Sequence, residues 1–235
     1  MMNLNMENQA ILKDDLLLTP EVTRQRRTNK EEEFKNYVKN KRLVDVLLAS
    51  VGLVVLSPVF LILAAMIKIN SRGSVFFAHT RIGKDGKKFK MYKFRTMYEN
   101  AEEMIKDFTP EQKKEWEENY KLKDDPRITK IGKFLRKTSL DELPQIINII
   151  KGDLSIIGPR PIIDRELEKY GENKEKFLSV TPGLTGYWQA NGRSDTTYKQ
   201  RMRMELYYID HMSPKLDAQI FFKTFKTVLK KEGAI

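Results

Sequence analysis

One stretch of the chain departs from the mixed polar and apolar pattern found elsewhere. Leu43 to Ile67 reads LVDVLLASVGLVVLSPVFLILAAMI, 25 residues with a single charge, Asp45. A run that is apolar on every face is not a surface helix of a soluble domain. At 1.5 Å per residue a straight helix of that length measures roughly 37 Å, against ~30 Å of bilayer hydrocarbon. A long polar stretch precedes it and no small-residue cleavage site follows, which excludes a secretory signal. Ser57-Pro58 falls near its middle, where proline removes one backbone hydrogen bond. Both flanks are basic, with Lys39, Lys41 and Arg42 before it and Lys68, Arg72 and Arg81 after. The positive-inside preference therefore selects neither orientation. A re-entrant helix broken at Ser57-Pro58, with both ends on one face, satisfies both flanks. The carbonyls freed at the break would need a hydroxyl such as Ser57 or Ser50. A kinked span with the N-terminal 40 residues outside is the alternative.

Elsewhere the pattern predicts small elements. Residues 1–40 carry seven basic and seven acidic side chains and read as a mobile arm leading into a short helix. The apolar run Val75 to Ala78, then Gly83-Lys84-Asp85-Gly86, then Lys87 to Met97, predict a β-hairpin. Residues 99–120 read as two polar helices broken at Thr109-Pro110. Ile131, Phe134 and Leu135 predict a short amphipathic turn. Leu140, Leu143, Ile146, Ile147 and Ile150 mark the buried face of a helix closed by Gly152. Its start carries two signals that disagree: Ser139 and Glu142 have capping-box spacing, whereas Pro144 favours the first helical position. Either start places Asp141 and Glu142 at the helix entrance. Lys215 to Lys231 predicts an amphipathic helix through Leu216, Ile220, Phe221 and Phe225, which either lies among lipid headgroups or packs on its own domain.

Composition narrows the chemistry. Among 235 residues, 43 Lys+Arg against 32 Asp+Glu give a net charge of +11, which points to an anionic partner. Seven Lys/Arg and one Asp lie between Arg81 and Arg95. The chain has no cysteine, so a disulfide scaffold, a thiolate zinc site and a cysteine nucleophile are excluded. His79 and His211 are its only histidines and lack ligand spacing. Neither of the glycine-rich nucleotide-binding loops occurs. The candidate reactive element is Asp141-Glu142, in the company of Arg136 and of Gly158-Pro159-Arg160-Pro161. Arginine forks match phosphate oxygens, Mg²⁺ bridges carboxylates to phosphates, and a carboxylate can attack phosphorus to form an acyl-phosphate.

Four blocks then carry a resemblance: KRLVDVLLASVGLVVLSPVF, RIGKDGKKFKMYKFRTM, DPRITKIGKFLRKTSLDELPQIINIIKGDLSIIGPRP and TPGLTGYWQANGRSDTTY. In this order, from about Lys41 to Ile235, the chain resembles the bacterial sugar transferases, the monotopic polyprenyl-phosphate hexose-1-phosphate transferases. The resemblance implies transfer of a sugar phosphate, galactose or glucose favoured, from a UDP-sugar to undecaprenyl phosphate with release of UMP. Such a reaction opens exopolysaccharide, capsule or O-antigen synthesis. By the same resemblance Asp141 is the nucleophile and a Mg²⁺ ligand, and Glu142 is its carboxylate partner. Arg136 and Arg160 face the substrate phosphates. Lys93, Arg95 and Arg127 belong to matching basic blocks, whose roles are phosphate contacts or a solvated face beside anionic lipid. Ser57 and Pro58 match the break of a re-entrant helix. His79 departs from the family, which more often has glutamine there.

The fold expected is α+β and mostly helical: a re-entrant membrane helix, a small β-hairpin and amphipathic interfacial helices around a compact catalytic domain. Its divisions are 1–40 for the arm, 41–72 for the membrane helix, 73–195 for the catalytic domain and 196–235 for a C-terminal extension. Expected partners are a UDP-sugar, undecaprenyl phosphate and anionic inner-leaflet lipids, with no nucleic acid, and a homodimer is allowed. Both termini are expected on the cytoplasmic face. Two other classes compete with the enzyme. A nucleic-acid reader accounts for the charge but lacks a recognition motif. A membrane-anchored basic scaffold accounts for the helix but not for Asp-Glu-Leu-Pro-Gln or Gly-Pro-Arg-Pro.

Overall fold

The computed structural model describes residues 20–119, 122–192 and 196–229; of the expected N-terminal arm, 1–40, residues 1–19 lie outside them. The chain forms two compact units, Met1–Leu43 and Val44–Ile235. The first is described only as helix, with Phe34 and Tyr37 in ring contact at 6.1 Å. The elements of the second are mostly short helices around two two-stranded sheets, in keeping with a mostly helical α+β chain.

Helix α1 (Pro20–Asn70) contains the apolar segment and runs through Ser57-Pro58 without interruption. The chain therefore stays helical through the expected break point, and the physical reason is local. Pro58 leaves the carbonyl of Val54 without its usual donor, and the Ser57 hydroxyl donates to that same carbonyl at 2.8 Å. Eighteen consecutive residues of it have a mean hydropathy of 2.7, and the helix is long and apolar enough to cross a membrane. One stripe of it is buried against the rest of the unit. Ala49 packs with Ile146, Ile149 and Leu154, while Leu63 and Ile67 pack with Phe94 and Leu135. The opposite side stays open, with Val54, Val55, Leu61 and Ile62 all at least 60% exposed.

Strands β1 (Phe76–Ile82) and β2 (Lys88–Phe94) pair antiparallel as the expected hairpin, Phe76 opposite Phe94 and Ile82 opposite Lys88. Its apolar end is fixed by Phe94, stacked on Phe76 and tilted against Phe60 of α1. A 3-10 turn (Glu103–Asp107) and helix α2 (Pro110–Asn119) follow, divided at Thr109-Pro110 as the sequence reads. Helix α3 (Lys130–Thr138) is capped by the Thr129 hydroxyl, which accepts from the Gly132 N–H at 2.9 Å.

The next start differs from one expectation. Ser139 makes no side-chain cap; it adopts φ 56°, a left-handed conformation that ends α3. Leu140–Glu142 is a 3-10 turn, and helix α4 (Gln145–Lys151) begins after Pro144. The proline signal wins because Ser139 is already used as a helix stop. Asn148 of α4, fully buried, accepts from the Tyr92 N–H at 2.9 Å and donates to the Lys90 carbonyl at 2.7 Å. Those bonds lock α4, and hence the turn before it, onto β2.

A second sheet was not legible in the sequence. Strand β3 (Ser155–Ile157) pairs parallel with β4 (Gly183–Thr185). Between them lie α5 (Asp164–Leu167), a 3-10 segment (Glu168–Asn173) and α6 (Lys174–Leu178). After β4 come α7 (Tyr187–Asn191), α8 (Tyr198–Asp210) and α9 (Pro214–Leu229). Tyr208 and Ile220 join Ile157 and Ala190 in one buried cluster, so α8 and α9 pack on the second sheet. Part of the face of α9 remains open, with Phe222 70% exposed.

Candidate active site

Asp141 and Glu142 sit on the 3-10 turn between α3 and α4, and β2 supplies Lys93 to both. The Lys93 ammonium lies 2.7 Å from Glu142 Oε1 and 3.6 Å from Asp141 Oδ2. Asp141 is buried at 8% exposure, whereas the Lys93 side chain keeps 25%. Burial pushes the Asp141 carboxyl up; Lys93 and Arg136 oppose the rise and Glu142 adds to it. For Glu142, burial also raises, but Lys93, Arg160 and Gln145 outweigh it and hold the carboxyl below the usual range. Neighbouring acids pushed in opposite directions suit a pair with distinct roles.

Arginines surround this pair. Arg136, in the last turn of α3, donates from Nε to Thr96 Oγ1 at 2.9 Å. Burial lowers its pKa, and the charges of Asp141 and Asp125 act against that. Arg160 follows β3 and lines a small pocket together with Glu142, Gln145, Pro161 and Leu184. That turn is built on close backbone approach. A Cβ placed on Gly158 would lie 2.6 Å from the Thr181 carbonyl oxygen and 2.8 Å from the Gly183 nitrogen, so only glycine fits.

Two basic residues from the matching blocks are engaged elsewhere. Arg127 is 5% exposed and forms a bidentate pair with Asp125, 2.8 Å from Nε and 2.6 Å from Nη2. Its guanidinium lies 4.3 Å from the Trp116 ring centroid and 5.2 Å from that of Phe108. Arg95 donates to the carbonyls of Ser71 and Arg72 and to the Ser71 hydroxyl, closing the end of α1. Lys93, Arg136 and Arg160 thus gather with the acid pair, while Arg95 and Arg127 bond to their own chain. Ser57 and Pro58 lie in α1.

Some polar residues escaped the sequence reading. Asp45 is 4% exposed and accepts from the Ser155 hydroxyl at 2.7 Å and the Ile156 N–H at 3.0 Å, tying α1 to β3. Its isolation as the sole charge in an apolar run was the available signal. Glu205, within the run Met204 to Ile209 of α8, is 1% exposed and accepts the Arg160 N–H at 3.2 Å. Burial pushes its carboxyl up to about 7. Among the described residues, no three acids or histidines group as a metal site.

Residues 35–231 match the family model described as bacterial sugar transferase. The chain belongs to the bacterial sugar transferase family. It is accordingly a transferase. It is 45% identical over 198 residues to the exopolysaccharide production protein ExoY of Sinorhizobium fredii, covering 83% of this chain and 88% of that one. Identity to the undecaprenyl-phosphate galactose phosphotransferase of Salmonella typhimurium is 42% over 197 residues, 83% of this chain but 41% of the relative. With the UDP-glucose:undecaprenyl-phosphate glucose-1-phosphate transferase of Klebsiella pneumoniae it is 40% over 204 residues, 82% of this chain and 41% of that protein. The chain therefore spans most of an ExoY-type protein and about two fifths of the two longer relatives.

Proposed function

We propose that this transferase moves hexose-1-phosphate from a UDP-sugar to undecaprenyl phosphate, with Asp141 as a covalent carrier. The observation that carries the reading is the acid pair bridged by Lys93, Asp141 buried and Glu142 half-buried, with Arg136 and Arg160 beside it. In the first step an Asp141 oxygen attacks the sugar-bearing phosphorus, and the bond from that phosphorus to the bridging oxygen breaks. UMP departs with that oxygen and its electron pair. In the second step an oxygen of the lipid phosphate attacks the same phosphorus and the aspartyl bond breaks. The products are the lipid diphosphate sugar and free Asp141. Arg136 and Arg160 offset the diphosphate charge, and Lys93 holds Glu142 ionised beside the nucleophile.

The donor set fits a divalent cation such as Mg²⁺. Asp141 offers a hard oxygen next to a second carboxylate, and substrate phosphates with water would complete the shell. When bound, such an ion would neutralise charge on the diphosphate. The names of the relatives support galactose or glucose as the sugar. A scaffold without catalysis gives no reason for two adjacent acids held around one lysine.

The membrane segment is read as monotopic. Asp45 near its start is bonded to Ser155, and Ile67 near its end packs with Phe94 and Leu135, all in one unit with a charged surface. Holding both ends to one water-facing unit supports a return to the same face, and Pro58 is where the helix can bend. Catalysis would then lie at headgroup depth on the anionic cytoplasmic leaflet.

Incubation of the wild type with UDP-galactose or UDP-glucose alone should add one hexose phosphate to the intact mass, located on Asp141. Asp141→Asn should lose the adduct and nearly all UMP release, about a thousandfold or more if the carboxylate is the nucleophile. An adduct on another residue, or an active Asn variant, would overturn the assignment.

A further inference from the structure

Helix α8 reaches the Arg160 turn through a cluster of buried charge. Glu205 Oε1 accepts the Arg160 N–H at 3.2 Å, while its Oε2 is buried without a hydrogen-bond partner. One turn earlier on α8, Arg201 donates to Glu166 Oε1 at 3.1 Å and lies 4.7 Å from the Trp188 ring centroid. Arg81 approaches the other oxygen of Glu166 at 3.5 Å. The guanidinium of Arg160 lies 5.8 Å from the same Trp188 ring.

Packing alone gives no reason for an acid at this place. Glu205 is 1% exposed, and methionine or leucine would fill a similar volume without burying an unpaired oxygen. What an acid supplies is an acceptor for one particular backbone N–H, set among guanidinium groups that favour its charged form. The N–H in question belongs to the residue read above as a diphosphate ligand. Trp188 complements it by offering a π-face to the Arg160 side chain, within the range in which such faces orient guanidinium groups.

We infer that Glu205 and Trp188 are positioning residues for Arg160, the carboxylate fixing its backbone and the indole guiding its guanidinium. Helices α7 and α8 are then part of how the active site is built rather than an appendage to it. The inference rests on Arg160 being a substrate-phosphate residue, and its test separates the two ideas.

The test is a kinetic double-mutant cycle on the full detergent-solubilised chain, following UMP release from UDP-galactose and UDP-glucose with undecaprenyl phosphate. Glu205→Gln keeps an acceptor oxygen and should stay within about threefold of wild-type kcat/KM for the sugar nucleotide, whereas Glu205→Met should lose about tenfold or more. In an Arg160→Ala background, Glu205→Met should cost less than about twofold further, because its effect runs through a side chain already removed. Trp188→Leu should show the same loss and the same non-additivity, and it carries the test should Glu205→Met fail to fold. Losses that multiply in full in the Arg160→Ala background would overturn the positioning role. Wild-type kcat/KM in Arg160→Ala itself would instead overturn the reading of Arg160.

Discussion

Lys93, Arg95 and Arg127 look alike in the sequence, as basic members of positive blocks, and the structure gives each a different task. For Lys93 and Arg95 the partners lie far away in the chain, so local spacing could not divide the three. Lys93 meets Asp141 and Glu142 because Asn148 fixes α4 to β2; Arg127 meets Asp125 only two residues away. Removing the Lys93 charge leaves two neighbouring carboxylates without their shared cation. Lys93→Met should therefore reduce UMP release by about tenfold or more while Lys93→Arg recovers part of it, the signature of a lost charge. Equal activity in all three proteins would make Lys93 a solvated surface residue. Glu205 carries a pH dependence of stability. Burial raises its folded pKa to about 7, above the ordinary carboxyl value of 4.5, against the opposing Arg160 N–H and the charges of Arg201 and Arg160. Tyr170 and Tyr198 also face it. The folded state thus binds the proton more tightly than the unfolded one. The stabilisation is full below about 4.5 and is lost as pH rises through about 7. Glu205→Gln should flatten that decline, so the gap in thermal midpoint between variant and wild type should widen from pH 5 to pH 8. Parallel curves would show that Glu205 does not titrate in this window.

Elements whose signal is local were legible, and those made by distant pairing were not. The apolar run of α1, the hairpin with its glycine loop and the division at Thr109-Pro110 each announce themselves within a few residues. Strands β3 and β4 are three residues each and meet across the whole α5–α6 segment, so neither periodicity nor turn chemistry marks them. The pairing matters because Arg160 follows directly from β3. Gly158→Ala should push the Gly158 and Thr181 backbones apart and impair turnover more than ten-fold, on the scale of a misplaced phosphate ligand. Gly52→Ala, in the helical backbone of α1 where an added Cβ would meet nothing within 4 Å, should cost far less turnover. Asp45 is the corresponding joint between α1 and β3. Asp45→Leu makes the segment more apolar and should not weaken membrane sedimentation. It strands the Ile156 N–H, however, while the Ser155 hydroxyl keeps only the Ile157 carbonyl at 2.9 Å, so the catalytic unit should lose about 1–3 kcal/mol of stability in a thermal melt. Unchanged stability would mean that water replaces both bonds.

At the scale of the molecule, the question is how a helix with one apolar face packed on a charged unit and the other face open meets the bilayer. A transmembrane span would carry one end of Leu43–Ile67 about a bilayer thickness from the other, into the opposite aqueous phase. Yet Asp45, Ala49, Leu63 and Ile67 are all buried within the same unit as the acid pair. Pulling either end away would expose those contacts and leave Asp45 in hydrocarbon without Ser155. The open stripe from Val54 to Ile62, by contrast, is costly in water and needs no polar partner in lipid. Under the proposed monotopic reading both basic flanks would lie on the anionic leaflet, in accord with the net charge of +11. The expected topology places both termini in the cytoplasm. Because the chain has no native cysteine, single cysteines at Asn8 and Gly233, positions outside the described residues, can be labelled without background. With an impermeant maleimide neither should react in intact cells, and both should react once the inner membrane is opened. Reaction at the Asn8 site alone in intact cells would show that the segment crosses the bilayer, and would detach the monotopic reading from the packing that suggests it.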